Sequence, residues 1–150
     1  MKRLVILSVF VLIFTSALFA GNGLVKVKST HNVHATVDSL VKVLKSKGMT
    51  VFAVIDHQKG AESVGKKIRP TTVVIFGNPK IGTLLMQCNQ TVAIDLPQKM
   101  LIWEDSSGQT WIAYNNPDYL VERHKLNDCN KKIVAKIKGA LKKFAETAAK

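Results

Sequence analysis

The chain is short of acids, of cysteines and of aromatics, and it lacks the compact signatures that mark most catalytic and metal centres. There is no HExxH, CxxC or HxH spacing, so no compact zinc motif is present. There is no nucleophile elbow, no triad-like serine context and no cofactor-binding glycine pattern, which removes the commonest hydrolase and dinucleotide classes. No linker, internal repeat or low-complexity tract divides the chain. Cysteine occurs only at Cys88 and Cys129, and none follows the first apolar run, which excludes a lipoprotein anchor there. Against 10 Asp and Glu stand 22 Lys and Arg, a formal charge of +12.

What is present begins with an export signal. Lys2-Arg3 is a basic start, Leu4–Phe14 is uninterruptedly apolar, and the segment closes on Ala20, a small residue suited to cleavage. Residues 1–20 are therefore expected to be a signal peptide, and residues 21–150 one domain delivered to the periplasm or secreted. The alternative is an uncleaved anchor, although about 17 apolar residues is at the lower limit for spanning hydrocarbon. A basic excess suits nucleic acid in general, but an exported chain rarely meets it, and the lysines lack interleaved aromatics on which bases would stack. No nucleic-acid partner is expected. Half of the mature excess lies in residues 127–150, where seven Lys face Asp128 and Glu146. That pattern reads as a solvated helix face, with weak attraction to anionic lipid or an acidic partner as the alternative.

Periodicity then orders the elements. Gly23–Ser29 alternates apolar and polar residues, the period of a half-buried strand. Asn32 is placed to cap a helix whose apolar positions Val33, Val37, Leu40, Val41 and Leu44 share a face, and Gly48 ends it. Thr50–Ile55 and Thr71–Phe76 are β-branched strands, separated by a polar stretch, Gln58–Arg69, read as a loop. Pro79–Cys88 is expected to be a helix opened by Gly77-Asn78-Pro79. Lys99–Trp103 and Thr110–Ala113 are strands joined by a Ser106-Ser107-Gly108 hairpin, and helices follow over Pro117–Arg123 and Asp128–Ala148. In the last helix Cys129, Ile133, Ile137, Ala140, Leu141 and Phe144 share a face that should pack on the sheet. The order predicts an α+β domain: an antiparallel sheet of about five strands with its helices on one face.

Several motifs exceed what any core requires: IDH at Ile55–His57, RPTTVVIFGNP at Arg69–Pro79, GTLLMQ at Gly82–Gln87, IDLP at Ile94–Pro97, IWED at Ile102–Asp105, and YNNP with ERH between Tyr114 and His124. In this order they resemble the bacterial family called domain of unknown function 302, over roughly residues 24–124. The resemblance implies a β-α-β4-α fold similar to TATA-box-binding-protein-like domains. That similarity is architectural and implies no DNA binding.

Chemistry, if any, is expected from polar residues at element ends: Asp56 and His57, Asn78, Trp103 with Glu104 and Asp105, Tyr114 and Asn115, and Arg123 with His124. Two histidines with nearby carboxylates are the inventory of an acid–base or metal site, with His57 and His124 as the candidate metal ligands. Each pair also has a plainer explanation. Asp56-His57 reads as a capped strand end, Glu104-Asp105 as a hairpin held by the Asp side chain, and Arg123-His124 as a helix C-terminus that favours positive charge. GNPKIGT at Gly77–Thr83 is not a phosphate-binding Walker loop, because Leu84 rather than Ser or Thr follows Thr83 and no Lys follows Gly82.

Two cysteines in an exported chain allow a Cys88–Cys129 disulfide, with two buried thiols as the alternative. The favoured function is a periplasmic domain that binds a small molecule or metal in a cleft lined by Phe76, Met86, Trp103 and Trp111 with His and carboxylate groups at its rim. The alternatives are an acid–base enzyme using His57 or His124 with Asp56 or Glu104, and a scaffold or homodimerisation module. The sequence names no cofactor, and membrane contact is expected only through an uncleaved signal segment or weak lipid attraction.

Overall fold

The structure is a computed structural model that describes residues 23–126, 129 and 131–150. The expected signal segment, and the expected helix start at Asp128, lie outside the described residues. Five strands, β1 (Leu24–Lys28), β2 (Thr50–Asp56), β3 (Thr71–Gly77), β4 (Gln98–Glu104) and β5 (Thr110–Asn115), form one sheet in the spatial order β1-β5-β4-β3-β2. Every neighbouring pair is antiparallel. The expected α+β class is the observed one.

The period of two along each strand decides which residues face the helices. The row Val27, Ile112, Ile102 and Thr72 and the row Val25, Tyr114, Met100 and Val74 point to one face. There they meet α1 (Val33–Ser46) and α5 (Lys131–Ala148) through Val33, Val37, Leu40, Leu44, Leu141 and Phe144. Each fully buried Leu in this layer contributes about 2 kcal/mol by leaving water. The alternate positions, Lys26, Trp111, Ala113, Leu101, Trp103, Val73 and Ile75, occupy the opposite face of the sheet.

Local signals set the helix ends. Asn32 accepts from the Ala35 amide at 2.9 Å, and Gly48 at φ +70° ends α1 as only glycine does without strain. The stretch read as a loop over Gln58–Arg69 instead opens with α2 (His57–Ser63), whose cap is Asp56, accepting from the Lys59 amide at 3.0 Å. None of its residues is buried, so it has no apolar periodicity by which to be recognised. Between α3 (Pro79–Cys88) and β4, Asn89 caps a short 3-10 turn over Gln90–Ile94. After α4 (Pro117–Arg123), the Leu126 amide donates to the Val121 carbonyl while Lys125 takes φ +53°. This is a Schellman ending with a lysine where glycine is usual.

Leu85, Val92 and Leu126 form a second buried cluster beneath α3, and a Cys88–Cys129 disulfide joins the end of α3 to the approach to α5, with the two Cα atoms 5.9 Å apart. The link closes a separation of 41 residues, worth about 4 kcal/mol in the chain-entropy account. Protein from an oxidising compartment should therefore show no titratable thiol after denaturation in 6 M guanidinium. Reduction should lower the urea midpoint by the equivalent of about 3–4 kcal/mol; two free thiols in the native protein would contradict the link.

Candidate functional site

A cavity of about 580 Å³ lies between the sheet and its helices at the end where β3 runs into α3. Phe76 is the last inward residue of β3 and forms part of its wall. Gly77 follows, and a Cβ there would stand 3.3 Å from Cε2 of Phe52 and 3.5 Å from Cβ of Pro97, so glycine lets these two side chains close on the strand end at the mouth. Asn78 then caps α3 by accepting from the Lys80 amide at 3.0 Å, and Pro79 occupies the first helical position, where its missing N–H leaves nothing unpaired. α3 contributes Ile81, Leu85 and Met86, and α5 contributes Ile137, Ala140, Leu141 and Phe144. The lining is therefore apolar, with Asn78, Thr83, Gln98, Lys47 and Lys136 as its polar members.

The expected cleft residues divide. Phe76 and Met86 line the cavity, whereas Trp103 and Trp111 do not. Trp103 is one residue past the inward Ile102, and that odd step sends it to the other face, where it stacks on Trp111 with ring centroids 6.5 Å apart and Lys26 Nζ lies 5.8 Å from its centroid. The two candidate metal ligands, His57 and His124, lie at opposite ends of the sheet. Asp56, His57, Glu104 and Asp105 belong to one end of the sheet, and Asn78, Tyr114, Asn115, Arg123 and His124 to the other. At the first end β3 lies between β2 and β4, and His57 is exposed. Among the described residues no three His, Cys, Asp or Glu side chains are grouped to hold a metal ion.

Two polar clusters among these candidate residues are tightly satisfied. Asp105 closes the β4–β5 hairpin: Oδ1 accepts from the Ser107 amide at 2.9 Å, the Ser107 hydroxyl at 2.6 Å and the Gln109 amide at 3.0 Å, and Oδ2 accepts from Trp111 Nε1 at 2.7 Å. The Ser107 hydroxyl foremost, then the Trp111 indole N–H, hold its carboxyl well below the usual carboxylate range. At the other end His124 is 5% exposed. Its Nε2 lies 2.5 Å from Asp95 Oδ2 and its Nδ1 3.0 Å from Thr91 Oγ1. The Thr91 hydroxyl donates to Asn89 Oδ1 at 2.9 Å, and both ring nitrogens of His124 have a partner within hydrogen-bond distance. Asn89 Nδ2 also donates to the His124 carbonyl at 2.9 Å, and Arg123 reaches Asp95 Oδ1 at 3.2 Å. His124 thus ties α4 to the 3-10 turn and presents no open nitrogen. Tyr114 is buried on the inner face, and that burial, with the Glu146 carboxylate adding to it, pushes its hydroxyl pKa up.

Asp95, Thr91 and Asn89 are partners of His124 that the sequence does not single out. Asp95 was visible inside the IDLP motif, but Thr91 and Asn89 become partners of His124 only through a 3-10 turn that no periodicity announces. The apolar lining from Leu85, Leu96, Ile137 and Ala140 reads in sequence as ordinary core.

Two outcomes test these clusters. Asp95→Ala should destabilise the protein by about 3 kcal/mol in urea melts, the scale for stripping a buried partner from a hydrogen-bonded pair, while His57→Ala should stay within about 0.5 kcal/mol of the parent. For Asp105 the folded-state pKa is depressed, so its contribution is complete above the ordinary value of 3.8 and is lost as pH falls below it toward the lowered value. The melting-temperature gap between the parent and Asp105→Asn should therefore be widest near neutrality and shrink in acid; a gap that widens below pH 4 would contradict the assignment.

A family model described as "Domain of unknown function DUF302" matches residues 25–144. A solved structure of an uncharacterised DUF302 protein from Bacillus stearothermophilus superposes with a TM-score of 0.76, covering 87% of this chain and 100% of that one at 21% identity, a likeness of fold. Among curated proteins the chain is similar to fluoride-specific ion channel FluC 1 of Brucella suis biovar 1 (strain 1330), 46% identical over 105 residues, or 70% of this chain and 41% of that protein. Fluoride-specific ion channel FluC 2 of Brucella melitensis biotype 1 matches at the same 46% over 39% of its length. The chain spans about two fifths of these relatives, so their channel name describes much longer polypeptides; no helix among the described residues is long and apolar enough to cross a membrane. With four fifths of its length matched by the family model and the same fold in a solved member, the chain belongs to the DUF302 family.

Proposed function

We propose that this domain is a binding module for a small, largely apolar molecule, held in the cavity between the sheet, α3 and α5. The observation that carries the reading is the cavity itself: about 580 Å³, walled by Phe76, Leu85, Met86, Ile137 and Leu141, with a few polar groups among its lining residues. Ligand pockets fall in the range of about 300–1,000 Å³ and combine apolar walls with a small number of orienting polar groups. Binding is favoured over catalysis because the buried histidine has both ring nitrogens engaged by Asp95 and Thr91. The basic, apolar, small-residue order of residues 1–20 supports action in the periplasm.

The test uses N-phenyl-1-naphthylamine, an uncharged fluorophore that brightens in apolar surroundings. Saturable binding at one site per chain is expected. Ala140→Trp, which fills the cavity from α5, should weaken it by at least about tenfold, roughly 1.4 kcal/mol, with the melting profile retained, and His57→Ala should leave it unchanged. Absence of saturable binding, or binding indifferent to Ala140→Trp, would sink the proposal.

A further inference from the structure

Charge at the cavity lining is one-sided. Lys47, the C-cap residue of α1, and Lys136, on α5, both line the cavity and are exposed, so they stand where it meets water. No Asp or Glu lines it. Two other lysines of α5, Lys138 and Lys142, are paired with Asp118 and Glu146. Lys47 and Lys136 form no ion pair with a carboxylate among the described residues. They approach from different elements, and no arginine is part of the lining.

The geometry points to a single-chain amphiphile with a carboxylate end as the occupant, its tail against Phe76, Leu85, Ile137 and Leu141 and its head held at the mouth by Lys47 and Lys136. This inference rests on the cavity being a ligand site. The apolar wall offers nothing to solvate a charge, so an ionised head must stay at the wet end. There a cationic head would meet two like charges, and a neutral one would leave both ammonium groups unused. A phosphate head would favour the bidentate fork of an arginine, whereas two separate ammonium groups act as point charges suited to a carboxylate.

Displacement of N-phenyl-1-naphthylamine by decanoate, decan-1-ol, decyltrimethylammonium and decyl phosphate, at one low ionic strength, tests the head group at constant tail. Decanoate should compete roughly threefold to tenfold better than decan-1-ol, the scale of two partly screened charge contacts, and decyltrimethylammonium should compete worst. The advantage should shrink at about 1 M salt, where the screening length falls to about 3 Å. It should vanish in the Lys47→Glu/Lys136→Glu variant, read as the ratio of decanoate to decan-1-ol affinity so that any change in probe affinity cancels. If the probe binds but the head groups compete equally, if decyl phosphate or the cation competes best, or if the double variant keeps the preference, the carboxylate inference is overturned and the cavity reading stands. If the probe does not bind saturably to the parent protein, the cavity reading fails and takes this inference with it.

Discussion

The contact between Phe76 on β3 and Phe144 on α5 is the point from which the rest of the molecule is organised. The rings meet edge to face with centroids 6.3 Å apart, an arrangement worth about 1 kcal/mol beyond the burial of the two side chains. Phe76 is wholly buried, so it sets the height at which α5 crosses the sheet. Both rings also line the cavity. The packing that secures the last helix is therefore the same packing that leaves a space beside it. The disulfide at Cys88 and Cys129 secures the other side of that space by joining α3 to the approach to α5.

Polar residues that would ordinarily attract a catalytic interpretation are spent here on geometry. Asp56 caps a short helix, Asp105 holds a hairpin and a tryptophan ring, and His124 binds α4 to the turn before β4. The two aspartates satisfy backbone amides at a helix start and a hairpin that would otherwise be unpaired, whereas the His124 ring joins two segments through side chains alone. The cavity is lined instead by apolar residues that carry no chemical signature, with Lys47 and Lys136 as its charged members.

Most of the architecture was legible in the chain. The two-residue alternation of β1, the β-branched runs of β2 and β3, the Asn32 cap and the left-handed Gly48 each identify an element without reference to anything distant. α2 was missed because none of its residues is buried, and the 3-10 turn because five residues are too few to show a period. The side of the sheet that Trp103 and Trp111 occupy is not legible in the chain, because the phase of each strand relative to the helices depends on register, and register is a relation between strands.

Taken alone, the sequence determined the α+β class, the order of the strands and of the longer helices, the motifs of its family and the supply of one cysteine pair, because each rests on local propensity, short spacing or composition. Only the tertiary structure decided that His57 and His124 stand at opposite ends of the sheet, that Asp95 and Thr91 are the partners of His124, and that Lys47 and Lys136 share the lining of one cavity. These are relations among residues 29 to 89 positions apart, and antiparallel pairing and helix packing, which bring them together or hold them apart, leave no trace in any window short enough to read.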